Sequence, residues 1–199
     1  MKRSFIYLMA FCFLLSSCDK FGQQEEVYEK NALVIKPALR TKADGGIQRE
    51  DGSFIYHIKA MSYSSGMYPL SPSITATSLQ FYPEEITTQW PDLSKSLFDI
   101  GCLRPNEEEE TKPGQFIRSL TFWVPDFEAL GWKQNHFDIW MEDGKHTGEN
   151  AFIADVKVKS FKYSSDPKET NINIEITTKD GDVITLSYEN GAPVWNGTY

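Results

Sequence analysis

The sequence predicts an all-β protein, either an antiparallel β-sandwich or a barrel-like sheet. Apolar residues recur at every second position in segment after segment, as in Ile172, Ile174 and Ile176 or in Ile184, Leu186 and Tyr188. Turn pairs such as Asp143-Gly144 and Asp180-Gly181 separate these segments. The segments follow one another at short spacing, which suits strands joined by hairpins and leaves little room for helices.

The stretch before the first strand is of another kind. Lys2 and Arg3 form a basic head, Phe5 to Leu15 an apolar core, and Leu15-Ser16-Ser17-Cys18 a small-residue site ending in cysteine. The apolar run falls well short of the roughly 20 residues a spanning helix needs, so residues 1–17 read as a secretory signal. The Leu-Ser-Ser-Cys tetrapeptide resembles the lipobox of Bacteroidetes-type cell-envelope lipoproteins. That resemblance implies cleavage before Cys18, lipidation of Cys18, and attachment to the outer membrane at its cell-surface or periplasmic face. Two or three acyl chains anchor stably where one holds only marginally. Residues 18–30 then read as a tether, because Asp19 to Lys30 is polar and has no apolar period.

Ala32 to Arg40 is a short apolar run in which Pro37 predicts an edge or bulged strand, and Thr41 to Gly46 reads as loop. Lipobox, tether, first strand and then Arg-Thr-Lys-Ala resemble the N-terminus of fimbrillin-like surface lipoproteins. The resemblance implies that Arg40 is a proteolytic processing site that licenses strand exchange during assembly. From the residues alone, Arg40 is an exposed basic loop position.

Phe54 to Tyr63 reads as one strand with Phe54, Tyr56, Ile58 and Ala60 on a common face. Ser64 to Gln80, rich in serine and threonine and carrying Gly66, Pro69 and Pro72, reads as loop leading to a strand near Ser78 to Tyr82. Trp90 to Phe98 suits a helical turn or two with Asp92 as N-cap. In Arg104 to Gly114, four consecutive glutamates repel one another between two prolines, which predicts a solvated loop or linker over 105–114. It divides a β-rich half, 31–104, from an antiparallel half, 115–199. One sandwich and two small β subdomains both fit this division.

In the second half, Gln115 to Val124, Phe137 to Met141 and Ala151 to Tyr163 read as strands, with Glu142 to Lys145 as a hairpin turn. In the long third one, Phe152, Ala154, Val156 and Val158 share a face while Phe161 and Tyr163 fall on the other. A bulge near Ser160 restores their direction. The last hairpin is set by arithmetic. A two-residue Asp180-Gly181 turn would place the two apolar sets on opposite faces. A three-residue loop, Lys179-Asp180-Gly181, sets Ile176 opposite Ile184 and Ile174 opposite Leu186, and is the one predicted.

Function is less legible. A formal net charge of −8 argues against nucleic acid and against electrostatic docking on anionic lipid, leaving the lipidated cysteine as the membrane partner. Of three cysteines, Cys12 leaves with the signal and Cys18 takes lipid, so Cys102 has no disulfide partner and reads as a small buried hydrophobe. There is no phosphate-binding glycine loop, CxxC pair, HExxH or Gly-x-Ser-x-Gly elbow. His57, His136 and His146 lie far apart; His136 with Asp138, or Asp143 with His146, are the nearest to a metal or acid–base pair and lack a third group. No catalytic residue, metal or other cofactor is therefore predicted. Trp90, Trp123, Trp132, Trp140 and Trp195 are spread along the chain. Trp132, beside Gln134 and Asn135, is the one whose neighbours suit sugar hydroxyls, with a place in the core as its alternative. The expectation is a non-catalytic envelope protein with a binding or surface-assembly role, its ligand a protein or a glycan. A glycan binder would expose two or more tryptophans on one face, and an envelope hydrolase would converge acidic or histidine side chains in a cleft.

Overall fold

The computed structural model describes residues 30–38, 40–41, 47–48, 53–87, 92–191 and 194–197. It is a β-sandwich. Its strands are β1 (Ala32–Lys36), β2 (Arg40–Thr41), β3 (Ile47–Gln48), β4 (Phe54–His57), β5 (Ala60–Tyr68), β6 (Ser71–Tyr82) and β7 (Phe98–Pro105). They continue as β8 (Ile117–Trp123), β9 (His136–Glu142), β10 (Lys145–His146), β11 (Ile153–Lys162), β12 (Asn171–Thr178), β13 (Val183–Glu189) and β14 (Val194–Gly197). One sheet runs β11-β12-β13-β1-β4 and the other β10-β9-β8-β7-β6-β5-β14, while β2 and β3 form a separate ribbon. Every pairing is antiparallel except that of β14 with β5.

The core is built from side chains in register across strands. In the larger sheet Met61, Phe81, Phe98, Phe122 and Phe137 face one another in one row, and Leu79, Ile100, Leu120 and Ile139 in the next. The rings of Phe98 and Phe122 stack at 6.1 Å and those of Phe122 and Phe137 at 4.9 Å. The smaller sheet answers with Ile35, Ile184, Ile176 and Val156 in one row and Leu33, Leu186 and Ile174 in another. Phe81 meets Tyr188 edge-on at 5.2 Å, joining the two layers.

The final hairpin has the predicted register, Ile176 opposite Ile184 and Ile174 opposite Leu186. Gly181 in its loop has φ +88°, which suits a residue without Cβ. The Glu142 to Lys145 turn also forms, with Asp143 and Gly144 both at positive φ, the signature of a tight hairpin that follows strand twist. A bulge falls between Val158 and Ser160 as expected, and Phe161 returns to the core. Leu93–Lys95 forms a single 3-10 turn, with Asp92 accepting from the Ser94 backbone.

Several expectations are corrected. β1 is not an edge strand: it lies between β13 and β4, and Pro37 falls just past its end, where no ladder bond is needed. Phe54 to Tyr63 is two strands, because the chain leaves one sheet after His57 and enters the other at Ala60. Ser64 to Gln80 is mostly strand, the β5–β6 hairpin turning at Pro69 and Leu70. A second bulge between Ile153 and Asp155 buries Ile153 and turns Ala154 to solvent. The acidic stretch, read as a loop or a linker, is the loop that connects the paired strands β7 and β8. The two halves of the chain interleave, since β1 and β4 complete the sheet made by β11, β12 and β13.

Candidate functional site

The outer face of the larger sheet departs from the usual surface. Cross-strand register aligns Ser64 on β5, Ser78 on β6, Gly101 on β7, Ser119 on β8 and Trp140 on β9 in one row. A sheet face is ordinarily covered by side chains of middling size, and this row consists of the smallest ones until it reaches an indole. The result is a shallow hollow of about 390 Å³, whose lining includes Gly66, Ala76 and Leu103 beside that row. A Cβ placed on Gly66 would meet nothing within 4 Å, so the floor is open above it. At strand spacings of about 4.8 Å, Ser64 and Trp140 stand roughly 19 Å apart.

Trp140 closes one end and is 67% exposed. Its placement follows from alternation: Phe137, Ile139 and Met141 point inward, so His136, Asp138, Trp140 and Glu142 point outward. Trp123 shares this face four residues along from Ser119, about 13 Å away at the strand rise, and stacks on His136 at 4.9 Å. Two tryptophans thus stand on one face.

Arg118 reaches the hollow by a bulge. Gly101 pairs with Ser119 and Cys102 with Ile117, which leaves Arg118 as the unpaired extra residue. Its Nη1 donates to the carbonyls of Gln115 and Ile117 at 3.2 and 3.3 Å, fixing the guanidinium plane. Among the described residues no carboxylate pairs with it, and the lining holds no aspartate, glutamate or histidine. Cys102 also lines the hollow but is 2% exposed, and burial pushes its thiol well above the usual range, so it is no nucleophile.

The neighbouring row on the same face is polar: Ser62, Gln80, Asp99, Thr121 and Asp138. Thr121 donates to Asp138 at 2.8 Å, and His136 Nε2 stands 3.5 Å from the same carboxylate. Burial pushes Asp99 up to about 6, against the opposing pull of hydrogen bonds from Ser96 and Gln80. Its Oδ1 is buried with no hydrogen-bond partner among the described residues.

Trp132, the residue singled out for sugar stacking, is corrected to a core residue. It is 5% exposed, with the rings of Phe137 and Phe152 against it at 5.5 and 4.9 Å. Its Nε1 donates to Asp182 Oδ2 at 2.8 Å, and Asp182 Oδ1 accepts from the Ala38 backbone at 2.8 Å. The ring therefore has no face left for a ligand. The signal that finds Trp140 was present in the sequence: the alternation of Phe137, Ile139 and Met141 sends it outward.

Cys18 lies outside the described residues. The Arg40 backbone pairs with Gln48 in the β2–β3 ribbon. Asp143 forms an ion pair with Lys112. His146, with Glu149, Asn150 and Lys179, lines a second depression of about 680 Å³ at the start of β11. Among the described residues no three histidine, cysteine, aspartate or glutamate side chains gather as a metal site. Comparison with known proteins finds no match to this chain among family models, curated proteins or solved structures.

Proposed function

We propose that this chain is a non-catalytic binding protein of the cell envelope, held to the outer membrane by lipid on Cys18, with the outer face of its larger sheet as the ligand face. The observation that carries this reading is the hollow bounded by Trp140. Its groups suit binding rather than reaction, since serine hydroxyls with no base beside them are hydrogen-bonding groups and not nucleophiles. An indole that stays 67% exposed beside a hollow offers a contact of large apolar area.

The test is a thermal-shift screen of the full chain in detergent against soluble envelope and host polysaccharides and envelope proteins. A ligand raises the melting temperature by mass action. A rise that Trp140→Ala and Gly66→Trp both abolish supports the reading. A rise that both variants leave intact moves binding to another surface, and turnover of a ligand would replace binding by catalysis.

A second reading, surface assembly by strand exchange, is favoured by the place of β1. It pairs with β13 on one side and β4 on the other and is followed by Arg40, so its removal would open a slot for a donated strand. Trypsin-type cleavage after Arg40 that leaves a folded chain able to take up a peptide copy of 30–40 supports this role; unfolding on cleavage refutes it.

A further inference from the structure

Resting on the hollow as the ligand face, we infer that its ligand is an acidic polysaccharide strand, with a uronate-bearing ring placed near Trp140 and Arg118. Charge singles out this spot. The chain carries 28 acidic residues and a net charge of −8, yet the lining contains no carboxylate and one guanidinium. A cation on an acidic surface ordinarily attracts a neighbouring carboxylate. Arg118 has none among the described residues, and its plane is held by two backbone carbonyls through a single nitrogen. The remaining N–H groups of the fork suit a planar carboxylate, which they can grip by two parallel bonds. The bulge that delivers Arg118 is the device by which a strand re-aims one side chain toward a site.

The remaining groups select a sugar from among anions. Indole covers the C–H face of a ring by stacking, and Trp140 is the exposed aromatic of this lining. Ser64, Ser78 and Ser119 present hydroxyls along the same row, each able to donate and to accept, as alternating sugar hydroxyls require. Gly66 keeps the floor low enough for linked rings to lie flat across the strands, and Gly101 leaves room for the Ser119 hydroxyl that leans over it. An acidic peptide would use Arg118 but leave the serine row and the indole face without matched partners. Outside the lining, Asp99 and Asp138 stand in the next row and Glu142 two residues past Trp140 on the same face; Asp138 is held by Thr121, and Glu110, in the β7–β8 connection, takes the Gln115 backbone N–H.

Calorimetric titration of the full chain in detergent decides the matter, using hexamers of galacturonate, mannuronate and hyaluronan, with cellohexaose as the neutral sugar and hexaglutamate as the anion without rings. The expected result is saturable binding of at least one uronate hexamer, weakened by salt and at least tenfold tighter than cellohexaose or hexaglutamate. Trp140→Ala should weaken it tenfold or more. Arg118→Gln should weaken it similarly and bring the acidic and neutral sugars to within about threefold of each other, with circular dichroism unchanged in both variants. Binding of cellohexaose as tight as that of the uronates, and lost in Trp140→Ala, overturns the acidic class while leaving the ligand face standing. Equal binding of hexaglutamate overturns the saccharide, and failure of all the uronates overturns the acidic polysaccharide. The face itself fails only if ligands from the thermal-shift screen bind regardless of Trp140→Ala and Gly66→Trp.

Discussion

Replacing Asp182 by alanine should unlock the protein where three segments meet. Asp182 is fully buried and lies just after the final hairpin loop. One carboxylate oxygen takes the Trp132 indole N–H at 2.8 Å, and the other takes the Ala38 backbone N–H at 2.8 Å. Its own backbone N–H donates to Thr178 Oγ1 at 2.9 Å, which holds the carboxylate in place. Hydrogen bonds to a charged group are worth about 1.5–3 kcal/mol each, and alanine strands both donors. The loss should come to about 3–5 kcal/mol, or roughly 10 °C in melting temperature for a chain of this size. Asp182→Asn keeps one acceptor and turns an amide donor toward the other N–H, so about half that loss is expected. Urea denaturation of wild type, both variants, Trp132→Phe and the Asp182→Ala/Trp132→Phe double variant measures the terms. The two single changes remove the same bond, so the double variant should fall short of their sum by about 1–2 kcal/mol. An Asp182→Ala protein within 1 kcal/mol of wild type, or full additivity, would refute the claim that this carboxylate ties the segments together.

Three further outcomes are expected. Asp99 is raised to about 6 by burial, so the native state binds its proton more tightly than the unfolded chain does. Its contribution to stability is complete below the unfolded value near 3.9 and is lost as pH rises through about 6. Asp99→Asn should remove this term, gaining about 2–3 kcal/mol on wild type between pH 4.5 and 7.5 in paired denaturation curves; parallel curves would show that Asp99 is not buried as charge. Gly181→Ala should cost about 1–2 kcal/mol, because φ is +88° there and the added methyl comes to 3.4 Å from the Ala38 Cβ; a neutral melting curve would contradict that geometry. Cys102, buried and with its thiol raised, should resist a maleimide dye in the folded protein and react within minutes in urea, so rapid native labelling would place it at the surface.

The final hairpin was readable because its apolar period is strict on both strands and only one loop length brings Ile174 and Ile176 opposite Leu186 and Ile184. The bulge near Ser160 was readable for the same reason, since two rings arrived on the wrong face. The β5–β6 hairpin was not readable, because serine, glycine, alanine and threonine along Ser64 to Ser78 lack the apolar alternation that marks a strand. That lack of bulk is also what makes the hollow. The site was thus hidden by the property that forms it. Trp132 misled because its neighbours Gln134 and Asn135 are polar, while the residues that enclose it are Phe137 on β9, Phe152 just before β11 and Asp182 just after the final hairpin loop. No local pattern reports a partner fifty positions away. The position of β1 was missed likewise: Pro37 argued for an edge, but partners on both sides, β13 and β4, are a fact of topology.

The interleaving of the two sheets also governs the order in which this protein can fold. Leu33 pairs with Leu186, so β1 finds one of its two neighbours only when nearly the whole chain is present. A polypeptide emerging from its N-terminus must keep that apolar strand waiting while β5 to β9, joined by successive hairpins, assemble the larger sheet. Closing so long a loop is entropically slow, and contacts of such sequence separation delay folding. The β5–β9 part of the larger sheet, which carries the hollow, can therefore form first and present its bare inner face. The smaller sheet closes over it last, bringing β1 against β13.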